Sequence, residues 1–382
     1  MQNSNSIGII TFHCADNYGA MLQAYGLKWY LRAKKIEADI IRYEPPFLTG
    51  RHWWIPYIPG NGILNCVRNA RWGWESHLLM KGDFFRLRYN MKKFRKRYLT
   101  TYTHRKKIFA CQLWNLPYKY YIVGSDQIWN PEITFGLRKV YFGDFGNKQK
   151  KKVISYGASL GGETLNEKYN EEFSGLLCNL DAISVREETA IPYIKRFYKG
   201  NVKPVLDPIF LLRREEWERI EKVPKKEKYI LVYATEFNEK LVNYAKKLSA
   251  VNGMQVIELR TGVGQTGDDF KIDYTAGPAE FLGYIHKAAY VVTNSFHGIA
   301  FSIIYQKNFI AFPHSSRNAR IYNILEIHGL EHRLWNTQNE MMNDDMIDWD
   351  EVRRRTETNV KLSAEFLWQE IVQETMKKNK RI

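Results

Sequence analysis

An alternation of short apolar runs with helical periodicities, begun early and resumed in the second half, limits most strongly what this chain can fold into. Residues 7–12 form a β-type run, and 13–17 a polar loop. Residues 18–33 carry Met21, Leu22, Tyr25, Leu27 and Leu31 at helical spacing. A second strand follows over 37–43 and stops at Pro45-Pro46. Strand, helix and strand in that order imply parallel pairing through a crossover. After an interruption at 47–107, strands are expected at 120–123, 152–155, 182–185 and 202–206. The charged stretch 217–228 reads as a linker. A second alternating unit then begins, with strands at 229–233, 256–259, 290–293 and 309–312. Helices are expected at 239–251, 278–287 and 298–305, and a closing helix at 364–377.

The economical fold is α/β, with two Rossmann-like domains facing a cleft. The first spans residues 1–225 and includes an insert at about 47–107; the second spans 226–345, and 346–382 is a helical tail. In open parallel sheets, ligands bind beyond the carboxyl ends of the strands. Candidate positions are therefore Asp16-Asn17-Tyr18-Gly19, Gly124-Ser125-Asp126-Gln127, Ser159, Arg186-Glu187, Asp207 and Asn294-Ser295-Phe296-His297-Gly298.

Charge singles out the insert. The 382-residue chain has 57 Lys and Arg against 41 Asp and Glu, a net +16. Between Val67 and Lys107 there are 13 Lys or Arg and only two acids, Glu75 and Asp83, so +11 sits in about a tenth of the chain. Trp53, Trp54, Trp72 and Trp74 lie in or just before this segment. Such an insert suits an anionic partner. Nucleic acid is not expected, because the run has no recognised binding module. No run of about 18 apolar residues exists to span a bilayer. The four cysteines are far apart, with no C-x-x-C to hold zinc. The polar start lacks the pattern of a secretory leader, so a cytoplasmic location is expected. No cluster of Asp and His suggests a metal.

Each strand-end motif has a chemical reading and a structural one. His297 stands at a helix entrance, where it can shuttle protons beside an anion held by backbone N–H groups, or simply close a turn. Arg186 can grip a carboxylate or phosphate bidentately, or pair with Glu187 or Glu188. The run from His314 to Arg320 offers Arg317 and Arg320 to a phosphate, or is a solvated helix start. Asp16, Asn17 and Tyr18 suit a sugar hydroxyl, or a helix cap. Asp126 and Gln127 have the same two readings. The first strand–helix turn has no G-x-G-x-x-G, and no H-E-x-x-H occurs in the chain.

Seven stretches in order resemble the polysaccharide pyruvyl transferase family: I-G-I-I-T-F-H-C-A-D-N-Y-G-A-M-L-Q-A-Y from Ile7, Y-I-V-G-S-D-Q-I-W-N from Tyr121, S-Y-G-A-S from Ser155, I-S-V-R-E from Ile183, V-L-D-P-I-F-L-L from Val205, G-P-A-E-F-L from Gly277 and V-V-T-N-S-F-H-G-I-A-F-S from Val291. The resemblance implies an architecture like the two-domain (GT-B-like) glycosyltransferases. It implies phosphoenolpyruvate as donor, a pair of sugar hydroxyls as acceptor and a cyclic pyruvate ketal as product. It places His297 as the acid/base and Arg186 at the donor. Many family members read S-R-L-H where this chain has Asn294-Ser295-Phe296-His297, so a second donor Arg is absent at Ser295, and Arg317 is the expected replacement. Ser295, Gly298, Arg317 and Arg320 are thus expected around the donor, and Asp16, Asn17, Tyr18, Asp126 and Gln127 around the acceptor. No cofactor or metal is expected. The acceptor is expected to be a lipid-linked precursor of a cell-surface polysaccharide, with the basic insert docking on the inner membrane face. The alternatives are a nucleotide-sugar glycosyltransferase and a non-catalytic protein of the same fold.

Overall fold

A computed structural model describes residues 7–49, 82–100, 107–145, 151–225, 228–262, 269–315, 318–336 and 346–372. The first sheet holds β1 (Ile7–Ile10), β2 (Ala38–Ile40), β3 (Tyr120–Asp126), β4 (Lys152–Ala158), β5 (Ile183–Val185) and β6 (Val202–Pro204) in the order β2-β1-β3-β4-β5-β6. Every pairing is parallel; Ile7 registers with Ala38 on one side and Tyr120 on the other. The central strands β1 and β3 are buried along their whole length, on both faces, as expected for a parallel sheet covered on each side.

Helix α1 (Tyr18–Ala33) connects β1 to β2. Asn17 caps it, its side-chain oxygen accepting from the Ala20 N–H at 3.0 Å. Its small residues let other backbone come close: a Cβ at Gly26 would meet the Pro208 carbonyl oxygen at 2.7 Å.

The second sheet holds β7 (Tyr229–Tyr233), β8 (Gln255–Leu259), β9 (Lys271–Asp273), β10 (Tyr290–Thr293) and β11 (Phe309–Ala311), again all parallel, in the order β11-β10-β7-β8-β9. In each sheet the order reverses once, between β1 and β3 and between β7 and β10. Those two crevices are where an open α/β sheet receives a ligand.

Four sequence expectations change. Helix α9 (Phe296–Ile304) starts two residues earlier than the periodicity suggests, because Ser295 Oγ accepts from the Gly298 N–H at 3.4 Å and caps it. The expected linker is ordered at its start: Trp217, on the short helix α6 (Arg214–Glu218), is fully buried and donates to the Ile209 carbonyl at 3.2 Å. Strand β9 is three residues long, too short to show an alternation. The closing helix α11 (Trp349–Leu367) starts fifteen residues before the expected 364, with Asp348 as its cap, and continues through a π-turn at Trp368–Val372; residues 373–377 lie outside the described residues. It packs against α10 (Asn318–His328) of the second half and then reaches the first, where Ser363 Oγ accepts from the Leu206 N–H at 2.9 Å and Glu370, just beyond it, meets Lys152 at 3.2 Å.

Of the basic insert, residues 82–99 are helical. Helix α2 (Gly82–Phe94) continues through a π-turn at Arg95–Leu99. Phe84, Leu87, Met91, Phe94 and Leu99 are buried. Arg95 pairs with Asp16 at 2.6 Å, and Lys28 Nζ donates to the Tyr98 and Leu99 carbonyls at 3.2 Å. Asn90 donates to the Thr275 carbonyl of the second half at 2.8 Å. The helix therefore rests on both halves. Trp53, Trp54, Trp72 and Trp74 lie outside the described residues. Among the described residues no helix is long and apolar enough to cross a membrane.

Candidate active site

The two switch points face each other across a cavity of about 180 Å³. Asn17, Asp126 and Gln127 line it from the first half, and Ser295, Phe296 and His297 from the second. The arrangement follows from strand order: the loops after β1 and β3 meet those after β7 and β10. Asn294 ties the second pair together, accepting from the Thr235 N–H at 2.8 Å and donating to the Glu236 carbonyl at 3.0 Å.

His297 lies in the first turn of α9 and is nearly buried. Its ring occupies the space that a side chain at position 19 would fill: a Cβ on Gly19 would fall inside the contact limit of Nδ1, Cε1 and Cγ. The β1–α1 turn and the β10–α9 turn thus touch through this imidazole. Nε2 stands 3.6 Å from Asp207 Oδ2. Asp207 follows β6, is fully buried and is paired with Arg186 NH2 at 2.9 Å. Burial works against the charge of Asp207, but the Arg186 guanidinium and then His297 outweigh it and hold the carboxyl below its usual range. Asp207 is thus an anion set to orient the imidazole. The sequence marked it as a strand-end residue without giving it this role.

The family is decided by the sequence along this frame, for the polysaccharide pyruvyl transferase family model matches residues 17–316, which include both crevices. The chain belongs to the polysaccharide pyruvyl transferase family. It is a transferase. No curated protein matches the sequence significantly. Among solved structures, the UDP-GlcNAc 2-epimerase of Methanocaldococcus jannaschii is similar at 12% identity, covering 93% of this chain and 92% of that one with a TM-score of 0.48. The UDP-GlcNAc 2-epimerase of Neisseria meningitidis is similar at 9% identity, with 93% and 99% coverage and a TM-score of 0.43. MurG of Acinetobacter baumannii is similar at 10% identity, with 94% and 99% coverage and a TM-score of 0.39.

In this pyruvyl transferase family member, Arg186 does not line the cavity. Its side chain is 2% exposed; NH2 donates to Ser125 Oγ at 2.7 Å, and the guanidinium lies over the Phe296 ring, 4.9 Å from its centroid. Among the described residues, Nε and NH1 have no hydrogen-bond partner. Phe296 stands at the cavity wall against this Arg. The pairing expected with Glu187 or Glu188 gives way to Asp207, because the ends of β5 and β6 are neighbours. Glu187 is fully buried and accepts from Ser159 Oγ at 2.9 Å; burial raises its pKa more than Arg186 and Arg320 lower it.

The guanidinium at the wall belongs to Arg320, in the first turn of α10. The Gln127 carboxamide, with its oxygen toward it, accepts from NH2 at 3.2 Å and NH1 at 3.3 Å. Arg317, the expected replacement for the missing second Arg, lies outside the described residues. Asp126 faces the cavity, and its Oδ1 accepts from the Gln127 N–H at 2.8 Å. Asp16 is instead engaged by Arg95 of the insert. Tyr18 is buried between Tyr233 and Phe281, its hydroxyl donating to the Ala276 carbonyl at 3.0 Å. Gly298 is not at the cavity: it packs on Thr293, where a Cβ would collide with the hydroxyl. Asp16, Tyr18 and Gly298 therefore brace the two turns, whereas Asn17, Asp126, Gln127, Ser295, His297 and Arg320 meet at one cavity. His314, also on its wall, was passed over in the sequence, where it merely opens an Arg-containing run.

Proposed function

We propose that the chain transfers the pyruvyl group of phosphoenolpyruvate to two hydroxyls of a sugar in a cell-surface polysaccharide precursor, forming a cyclic ketal and releasing phosphate. The single observation that supports this most is the meeting of His297, backed by the buried Asp207–Arg186 pair, with Arg320 in one cavity between two helix entrances. An anionic donor needs cations and helix N-termini. Arg320 and the N-terminus of α9 meet that need at the wall, and Arg186 lies behind Phe296 with Nε and NH1 unpartnered among the described residues. The methylene carbon of phosphoenolpyruvate must gain a proton to make the central carbon electrophilic. The two hydroxyls must lose theirs as they add to that carbon and phosphate departs. His297 is suited to this traffic: its ring stands at the cavity wall beside the Asp207 carboxylate. Asn17, Asp126 and Gln127 offer the acceptor hydrogen-bond partners on the opposite wall.

The acceptor is proposed to be lipid-linked and met at the inner membrane face. The outer stripe of α2 favours this: Phe85 and Tyr89 are exposed beside Arg86, Lys92, Lys93 and Lys96. Cations near an anionic bilayer contribute about 1 kcal/mol each, and aromatic side chains favour the interface.

The test is a donor and acceptor screen read by mass. The expected product is an acceptor heavier by a pyruvate ketal, with phosphate released and with thermal stabilisation by phosphoenolpyruvate but not by nucleotide sugars. Stabilisation and turnover by a nucleotide sugar alone would replace this reading with a glycosyltransferase.

A further inference from the structure

Ketal formation moves two protons. Each acceptor hydroxyl gives up one; the first ends on the methylene carbon, which becomes a methyl group, and the second leaves with phosphate. Charge balances, since a trianionic donor becomes a carboxylate ketal and a hydrogen phosphate dianion. His297 stands beside the substrate space for one of these transfers. A second imidazole lines the same cavity.

His314 follows β11, is 8% exposed and has Nδ1 3.5 Å from Glu236 Oε1. Glu236 is itself held in place: its carboxylate accepts from the Ser315 N–H at 2.6 Å and from Ser315 Oγ at 2.7 Å, and its carbonyl accepts from Asn294 at 3.0 Å. The His314 backbone is fixed by its N–H donating to Asn318 Oδ1 at 2.7 Å. The cavity thus carries two histidines, each beside a carboxylate that another group orients: His297 with Asp207, and His314 with Glu236. Among the described residues, Glu236 from the loop after β7 stands beside His314, and Arg320 from α10 and His297 line the same cavity. Arg320, the cation at the wall, stands on the helix that follows His314. The phosphate end of a donor is drawn to that side.

On the reading above, we infer that His314, oriented by Glu236, is the second proton carrier. It takes the proton of one acceptor hydroxyl as that oxygen bonds to the central carbon, and gives it to the departing phosphate oxygen as the C–O bond breaks. His297 serves the methylene carbon. The work is divided because the two protons go to different atoms of the donor at different steps, and each of the two imidazoles on the cavity wall has its own carboxylate.

The test compares the wild type with His314→Asn and Glu236→Gln, with phosphate release followed from about pH 5 to 9 at saturating phosphoenolpyruvate and acceptor. For His314→Asn, kcat should fall about a hundredfold, with KM for phosphoenolpyruvate within about twofold and one limb of the pH profile absent. Glu236→Gln should move that same limb to lower pH, because an anion that favours the protonated ring has gone. In His314→Gly, added imidazole should restore part of the rate. A wild-type rate in His314→Asn, or a uniform loss with both limbs in place and no rescue, overturns this inference and leaves the transferase reading standing. A wild type that releases no phosphate at any pH overturns both.

Discussion

Gly19→Ala separates the chemistry of the cleft from its stability. Gly19 is the second residue of α1 and has a helical backbone, so Ala suits the position and should favour the helix by up to about 1 kcal/mol. The difficulty lies across the cleft. The new methyl would sit against Nδ1, Cε1 and Cγ of His297, all closer than the 3.0 Å below which real Cβ contacts are essentially absent. Backbone cannot yield there, because Asn17 caps the helix and Tyr18 is wedged between Tyr233 and Phe281. The imidazole must retreat by about 1 Å or more to regain contact distance, and a displacement of that size in a reacting group costs about a hundredfold in rate. The assay is phosphate release from phosphoenolpyruvate with acceptor, alongside a thermal melt. Turnover should fall about a hundredfold while the midpoint stays within about 5 °C, the shift that 1 kcal/mol produces in a domain of ordinary size. Combined with His297→Ala, the substitution should add nothing further, since both act on one ring. Near-normal turnover in Gly19→Ala would refute the claim that the position of His297 controls the chemistry.

Asp207→Asn should destabilise the fold by about 3–5 kcal/mol in urea unfolding, because it leaves the Arg186 guanidinium buried without its counter-ion. Glu187→Gln should stabilise it above the usual Glu pKa: burial raises the native pKa of Glu187, so ionising it costs stability as pH rises, and the amide still accepts from Ser159. His13 and His328 are buried, and burial lowers both to about 4 from 6.5. Their neutral forms support the fold fully above pH 6.5, and each should withdraw about 3 kcal/mol as pH falls toward 4, visible as a slope in urea stability that His328→Asn reduces. Phe85→Ser with Tyr89→Ser should lower recovery on anionic-lipid vesicles at low salt; equal supernatant recovery of the wild type with and without vesicles would remove membrane docking.

Local sequence was enough for the elements and for the places where chemistry would lie. Strand runs buried on two faces, helical spacing and polar turns are set by residues within a few positions of each other, so β1, α1, β7, α8 (Pro278–Lys287) and β10 are legible almost to the residue. The strand-end rule then pointed to Asn17, Asp126 and His297 before any contact was known. What it could not show was which ends are neighbours, because strand order is a long-range property. Only the order β2-β1-β3-β4-β5-β6 sets Asp207 beside Arg186, 21 positions away, in place of the adjacent Glu187. Only the opposition of the two crevices makes Gly19 a seat for His297, brings Arg320 to Gln127 and puts His314 on the same wall. Asp16 and Tyr18 show the converse: they sit in the same turn as Asn17, yet tertiary packing assigns them to Arg95 and to an aromatic stack. Periodicity reports which face of an element is apolar. It carries no record of the partner that covers that face, and the partners decide which polar groups remain at the cavity.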